Sequence, residues 1–236
     1  MNQKINYAII AAGEGSRLAE EGISLPKPLV KLNGREMIGR LIDIFVRNNA
    51  ASVNIIVNKE MEQVQEYLSG IKLDIPFNVK VKSTPSSMHS FYELRNSLRD
   101  GKFCLTTVDT IFKESDFSEY IRTFINSADT DGMMAVTSFI DDEKPLYVET
   151  DSNMNILNFL DKSDSCKYIS GGIYGLTPKA IDTLERCLDS GQSRMRNYQR
   201  QLVADGLKLK AYAFPKIVDV DHAEDIEKAE AFLNEK

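Results

Sequence analysis

The feature that most constrains the fold is an alternation of strand-like and helical segments along the first half of the chain. Apolar runs of strand length are separated by stretches in which apolar residues recur at helical spacing. The predicted strands are Tyr7–Ile10, Leu29–Leu32, Ser52–Asn58, Phe77–Val81 and Phe103–Val108, and the predicted helices are Glu36–Arg47, Glu60–Leu68 and Ser90–Leu98. This order predicts a parallel sheet with helices on both faces.

The second half is less regular, with strand-like runs that follow one another closely and no long helices between them. The expected strands are Met133–Ile140, Leu146–Glu149, Ile156–Leu160, Tyr168–Leu176 and Leu207–Phe214, and the expected helices are Pro178–Leu188, Arg194–Leu202 and Ile226–Leu233. We therefore expect an antiparallel or mixed extension of the sheet. The fold class predicted for residues 1–236 is a single-domain, Rossmann-like α/β fold with a mixed, mostly parallel sheet.

Composition narrows the function. The 236 residues are 42% hydrophobic and 27% charged, which is typical of a globular protein. A formal charge of −6 argues against nonspecific nucleic-acid binding, so a phosphate site must be a local cluster of cations. Three cysteines without a Cys-x-x-Cys pair argue against structural zinc and disulfides and favour a reducing cytoplasm. No apolar run reaches the ~20 residues of a membrane helix, and no signal peptide is expected. Assembly into a homo-oligomer is left open.

A loop carrying two glycines follows the first predicted strand. Gly13 and Gly15 lack a Cβ, so the backbone here can turn tightly and its N–H groups can approach a ligand closely. Arg17 adds a planar guanidinium and Lys27 a compact mobile charge. Gly-x-Gly alone is often only a tight turn; with these two cations at a strand end it suits a polyphosphate. The predicted nucleotide-binding residues of this loop are Ala11, Ala12, Gly13, Glu14, Gly15 and Ser16.

Two acidic segments follow later strands. Asp109 comes directly after the strand Phe103–Val108, and Asp219 and Asp221 lie on one face of an extended segment before the last helix. Such aspartates often cap helices or form turns. They are also suitable ligands for Mg²⁺, which prefers oxygen atoms. The residues alone leave both interpretations open.

The fuller pattern Gly-x-Gly-x-Arg-Leu, followed by Pro26-Lys27-Pro28, resembles the signature of the sugar-phosphate nucleotidylyltransferases. This resemblance implies a fold of the nucleotide-diphospho-sugar transferase type, with Arg17, Lys27 and Asp109 as catalytic residues. It further implies that Asp109 and Asp221 are ligands of Mg²⁺, with Asp219 as the second candidate for the later position.

The resemblance also assigns residues outside the first loop. Asp161 and Lys162 correspond to an acidic residue that binds the sugar and a lysine that binds the acceptor phosphate, although Ser163 stands where the family has proline. Gly172 corresponds to a glycine at the acceptor site. Ser86 and Ser87 lie in the segment expected to meet the base, which departs from the Gln-Pro-Gly pattern of the hexose enzymes.

The implied reaction joins a nucleoside triphosphate to a small phosphorylated acceptor and releases pyrophosphate, an activity of the EC 2.7.7 type. The acceptor could be a hexose 1-phosphate, a heptose phosphate or phosphocholine. Two other functions stay open. Asp219-Val220-Asp221 has the Asp-x-Asp form of metal-dependent glycosyltransferases that use nucleotide sugars. A nucleotide sensor on the same fold would bind without turnover.

Overall fold

The computed structural model describes residues 3–13, 15–141 and 143–235. The predicted nucleotide-binding residue Glu14 lies outside these ranges. The strands are β1 (Ile5–Ala11), β2 (Lys31–Leu32), β3 (Arg35–Glu36), β4 (Ala50–Val57), β5 (Phe77–Val81), β6 (Phe103–Thr107), β7 (Thr110–Ile111), β8 (Gly132–Thr137), β9 (Tyr147–Thr150), β10 (Ile156–Leu160), β11 (Tyr168–Leu176), β12 (Leu209–Phe214) and β13 (Val218–Asp219). The helices are α1 (Ser16–Glu20), α2 (Met37–Arg47), α3 (Glu62–Ser69), α4 (Ser87–Leu94), α5 (Glu114–Asn126), α6 (Lys179–Asp189), α7 (Met195–Ala204) and α8 (Ala223–Asn234), with 3₁₀ turns at Lys27–Leu29 and Arg95–Leu98.

A mixed sheet runs through the part of the chain that the structure describes. Its main order is β10-β9-β11-β6-β1-β4-β5, and β8 pairs with β11 and with β12. The neighbours β6, β1, β4 and β5 are all parallel, so their carboxyl ends lie at one edge of the sheet. Antiparallel β11 joins this parallel part to the strands of the second half. The predicted mixed, mostly parallel α/β sheet is confirmed.

Helices cover both faces of the sheet, as the strand–helix order predicted. Along β1, Tyr7 and Ile9 point into one hydrophobic core, and Ala8 and Ile10 point into the other. The first core is closed by α2, α3, α5 and α8 and the second by α4, α6 and α7. Tyr7 stacks on Phe45 of α2 at 4.2 Å between ring centroids. Burying a large apolar side chain contributes about 1.5–3 kcal/mol, so the buried residues on its two faces hold β1 between the two cores.

Two parts of the predicted element order need correction. The sequence interpretation gave no helix after Asp109, but α5 spans Glu114–Asn126. Its buried residues Phe117, Tyr120 and Phe124 recur at helical spacing, separated by polar residues that obscured the pattern. The strand predicted at Leu29–Leu32 is reduced to the two residues of β2, because the preceding residues form a 3₁₀ turn.

No helix among the described residues is long and apolar enough to cross a membrane.

Candidate active site

The glycine-bearing loop leaves the carboxyl end of β1, in the centre of the parallel strands. Gly15 has a φ of 64°, a left-handed conformation that side chains disfavour. A Cβ on Gly15 would also lie 2.9 Å from Cβ of Lys27. A Cβ on Gly13 would meet nothing within 4 Å, because this residue faces an open cavity. The second glycine therefore lets the chain pack against Lys27, and the first leaves backbone accessible to a ligand.

Lys27 lies at the centre of a cluster of four charged side chains. Its Nζ is 2.6 Å from Oδ2 of Asp109 and 2.6 Å from Oδ1 of Asp221. Arg17 Nη1 lies 3.1 Å from the other oxygen of Asp221. Burial opposes the charge of Lys27 but is outweighed by the two carboxylates, which hold the pKa of Lys27 above its ordinary value. The ammonium therefore stays charged at neutral pH.

Asp109 and Asp221 lie close together because two short strands from distant parts of the chain pair with each other. β13 pairs with β7, so that Asp219 is opposite Thr110. The backbone N–H of Val220 donates to the carbonyl of Asp109 at 3.1 Å. These contacts place the Asp219–Asp221 segment directly beside the end of β6.

A cavity of about 530 Å³ lies in front of the glycine-bearing loop, and we call it the loop cavity. It is closed on one side by the carboxyl end of β1 and on the other by the segment that begins α4. Its lining residues are Ile10, Ala11, Ala12, Gly13, Gly15, Ser16, Lys27, Pro28, Asn58, Thr84, Pro85, Ser86, Ser87, Ser90, Thr107, Val108 and Asp109. All the predicted nucleotide-binding residues that the structure describes are therefore brought together.

A second cavity of about 530 Å³ lies between the sheet and the start of α7, and we call it the α7 cavity. It is lined by Gly172, Lys144, Arg194 and Arg196, among others. The residues that line both cavities are Ser86, Ser87, Thr107 and Asp109. The two cavities thus join beside Asp109.

The remaining predicted residues are distributed unevenly. Gly172 lines the α7 cavity, whereas Asp161 and Lys162 are among the lining residues of neither cavity. Asp161 binds Arg196 at 2.5 Å and Arg200 at 2.8 Å, so it contacts the α7 cavity only through an arginine that lines it. Lys162 is exposed.

Arg17 belongs to the charged cluster but does not line the loop cavity. It lines a smaller neighbouring cavity of about 210 Å³ together with Asp219 and Asp221.

Asn58, Thr107 and Arg194 are among the cavity-lining residues that sequence reasoning did not identify. Asn58 directly follows β4, and its side-chain amide donates to the carbonyl of Ala12 at 3.4 Å, which links the ends of β4 and β1. Thr107 ends β6 at the point where the cavities join. Arg194 directly precedes α7 and lies at the start of the helix predicted at Arg194–Leu202. The available signal for Asn58 and Thr107 was a polar residue at, or directly after, the carboxyl end of a parallel strand.

The donors around Lys27 fit a divalent cation that also binds substrate. Both carboxylates contact one ammonium, so a positive charge is already accommodated between them. Groups of three or more His, Cys, Asp or Glu side chains suited to a metal do not occur among residues 3–13, 15–141 and 143–235. Mg²⁺ is commonly held by one or two carboxylates together with substrate phosphates, and Asp109 with Asp221 meets that requirement.

The sequence model of the family described as Nucleotidyl transferase matches residues 7–236. The chain belongs to the nucleotidyl transferase family.

Several proteins are similar to this nucleotidyl transferase. The bifunctional protein GlmU of Methanococcus vannielii is 25% identical over 222 residues, covering 88% of this chain and 51% of that protein. The mannose-1-phosphate guanylyltransferase catalytic subunit beta of Dictyostelium discoideum is 25% identical over 183 residues, covering 75% and 51%. The chain thus spans about half the length of these curated relatives.

A solved structure confirms the fold. The inositol-1-phosphate CTP transferase from T. maritima matches with a TM-score of 0.82 and 18% identity, covering 100% of this chain and 98% of that one.

Proposed function

We propose that this nucleotidyl transferase joins a nucleoside triphosphate to a phosphate monoester, such as a sugar 1-phosphate, and releases pyrophosphate. The observation that carries the proposal is the junction of two cavities beside Asp109 and Lys27. Such a reaction needs two anionic substrates to meet at one phosphorus atom, with positive charge beside it. The family assignment supports the same class of chemistry.

In this proposal the loop cavity holds the nucleotide. The backbone from Ala11 to Gly13, together with Gly15 and Ser16, lies against the phosphates and the nucleoside, and Ser86 and Ser87 close the opposite side. Lys27, which lines the loop cavity, and Arg17, which lines the smaller neighbouring cavity, supply the positive charge for the triphosphate. Both cations must then leave their carboxylate partners at least in part, since each is paired with Asp221 in the structure.

The α7 cavity holds the acceptor. Arg194 lines it, and no side-chain partner of this arginine occurs in the described part of the chain. Arg194 is therefore available to bind the acceptor phosphate. Arg196 is already paired with Asp161, so Asp161 supports the cavity wall. Direct binding of the acceptor by Asp161 and Lys162 remains a prediction, as does its binding at Gly172, a residue of β11 that lines the cavity.

The chemistry requires no general base, because the attacking phosphate oxygen is already anionic. Tyr174 lines the α7 cavity, but burial and the nearby Asp219 and Asp109 raise its pKa to about 12, so its phenol stays protonated. We propose Mg²⁺ as the cofactor, held by Asp109 and Asp221, where it would neutralise charge on the transferred phosphate and on pyrophosphate. With Mg²⁺ between them, Asp109 and Asp221 would still have a positive partner when Lys27 moves away toward the phosphates.

The direct test is pyrophosphate release from each of four nucleoside triphosphates with a panel of sugar phosphates and phosphocholine. For the active pair we expect Lys27→Ala and Asp109→Ala to slow turnover by about a hundredfold or more, because each removes a charge worth about 3 kcal/mol in the transition state. Lys31→Ala is the matched control, since this exposed lysine lies in β2 and contacts only Glu36 among the described residues.

Two outcomes would contradict the proposal. Near wild-type turnover of either active-site variant would exclude the role given to that residue. Hydrolysis of a nucleotide sugar without pyrophosphate exchange would instead favour a glycosyltransferase, and nucleotide binding without turnover of any pair would indicate a sensor.

A further inference from the structure

Two threonine hydroxyls form a pair beside the junction of the cavities. Thr107 ends β6 and lines both the loop cavity and the α7 cavity. Thr110 begins β7 and is fully buried. Their Oγ1 atoms are 2.7 Å apart, which is a short hydroxyl–hydroxyl hydrogen bond. Asp109 lies between the two threonines in sequence, so the pair borders the proposed metal ligand.

The surroundings of Thr110 decide which hydroxyl donates. In the ranges that the structure describes, the Oγ1 of Thr107 is the only hydrogen-bond partner of the Thr110 hydroxyl. A Cβ on Gly172 would lie 2.8 Å from Thr110 Oγ1, so this hydroxyl is packed against the glycine backbone. If Thr107 donated, the proton of Thr110 would be buried without an acceptor, which is unfavourable. Thr110 therefore donates and Thr107 accepts.

This assignment leaves the proton of Thr107 unused. Each hydroxyl has one proton to donate. Thr107 is partly exposed, and apart from the Thr110 hydroxyl its side chain has no hydrogen-bond partner in the described ranges. The O–H of Thr107 is thus free to point into the space where the two cavities join.

We propose that Thr107 is a catalytic residue whose hydroxyl donates a hydrogen bond to a phosphate oxygen at the reacting centre. Thr110 is a positioning residue that keeps the Thr107 proton directed at that oxygen. This inference rests on the proposed function, because the junction is where the α-phosphate of the nucleotide and the acceptor phosphate must meet. A neutral donor here stabilises charge without competing with Asp109 for the cation.

The test compares isosteric variants in the pyrophosphate assay. Thr107→Val keeps the shape of the side chain and removes the donor, and we expect kcat to fall about 10- to 100-fold with KM for the nucleotide changed less than about threefold. Thr107→Ser keeps the hydroxyl and should retain kcat within about threefold. Thr107→Val with at least half the wild-type kcat would overturn the inference.

Thr110→Val distinguishes a catalytic role of the Thr107 hydroxyl from a structural role of the threonine pair. This variant breaks the same hydrogen bond and leaves the donor of Thr107 in place. We expect a smaller loss of kcat than for Thr107→Val, recovered in Thr110→Ser. Thr107→Val also strands the buried Thr110 proton, so the double variant with both valines should be more stable to heat than Thr107→Val alone. Its kcat should stay as low as that of Thr107→Val.

The outcomes distinguish failure of the role given to Thr107 from failure of the proposed function. Equal losses of kcat for Thr107→Val and Thr110→Val, or recovery of kcat in the double variant, would show that the pair is only structural. If the wild-type protein turned over no substrate pair, the proposed function would fail and the catalytic role of Thr107 would fall with it. If the wild type were active and Thr107→Val equally so, only the role of Thr107 would fall.

Discussion

Replacing Lys27 should strengthen metal binding in the absence of nucleotide. Its ammonium lies 2.6 Å from a carboxylate oxygen of Asp109 and 2.6 Å from one of Asp221, where a divalent cation is proposed to bind. Lys27→Met keeps a side chain of similar length and removes the charge. The two carboxylates then lose their cation, and the affinity of the site for Mg²⁺ or Mn²⁺ should rise.

The size of the effect follows from the two contacts. A hydrogen bond to a charged group contributes about 1.5–3 kcal/mol when it is shielded from water. The contact between Lys27 and Asp109 is shielded in this way, since their side chains are only 11% and 24% exposed. The side chain of Asp221 is 45% exposed, so its contact adds only about 0.2–1 kcal/mol. A total of about 2 kcal/mol or more corresponds to a dissociation constant at least about 30-fold lower in Lys27→Met.

The assay is titration of the nucleotide-free protein with Mn²⁺, followed by the paramagnetic resonance signal of free Mn²⁺, with calorimetry for Mg²⁺. Lys31→Met is the control and should bind the metal as the wild type does. The metal should also raise the melting temperature of Lys27→Met more than that of the wild type, because it restores a cation between Asp109 and Asp221. Unchanged or weaker Mn²⁺ binding in Lys27→Met would refute this reasoning.

Two further predictions concern stability. Gly172→Ala should lower the free energy of unfolding by about 1–3 kcal/mol, because φ is +72° and a Cβ would lie 2.8 Å from a buried threonine hydroxyl. Gly191→Ala, at φ +79° with nothing within 4 Å, should lose less in the same urea titration. The ammonium groups of Lys80 and Lys82 lower the pKa of Glu93 below 4.5, so its stabilisation is present above about pH 4.5 and is lost as the pH falls through the lowered pKa. Glu93→Gln should therefore be less stable than the wild type by about 1 kcal/mol at pH 7, with the difference shrinking in urea titrations below pH 4.5.

The parallel half of the molecule was predictable because its signals are local. A central strand of a sheet that is covered on both faces is mostly apolar and buried along nearly its whole length, as in β4. The loop after β1 carries its glycines and both cations within a short stretch. The carboxyl ends of parallel strands meet at one edge, so the position of the loop could be predicted without knowing any long-range contact.

The acceptor side could not be predicted in the same detail, because contacts between distant segments decide which side chains form it. Arg194 and Arg196 are close in sequence, but only Arg196 is paired with Asp161, and that pairing decides which arginine is available. Likewise, the proximity of Asp109 and Asp221 depends on the pairing of β13 with β7, two strands of two residues each. Strands this short have no periodicity from which pairing could be deduced.

The charged cluster would allow an acidic protein to bind the proposed polyanionic substrate. In the structure the cations that would bind phosphate are paired with the carboxylates that would bind the metal. Arg17 pairs with Asp221, and Lys27 pairs with both Asp221 and Asp109. A nucleotide that drew Lys27 away without a metal would leave two carboxylates facing its phosphates. A metal that displaced Lys27 without a nucleotide would leave a partly buried ammonium without a partner. Each ligand removes the cost that the other incurs, so the two should bind with positive coupling through the position of Lys27.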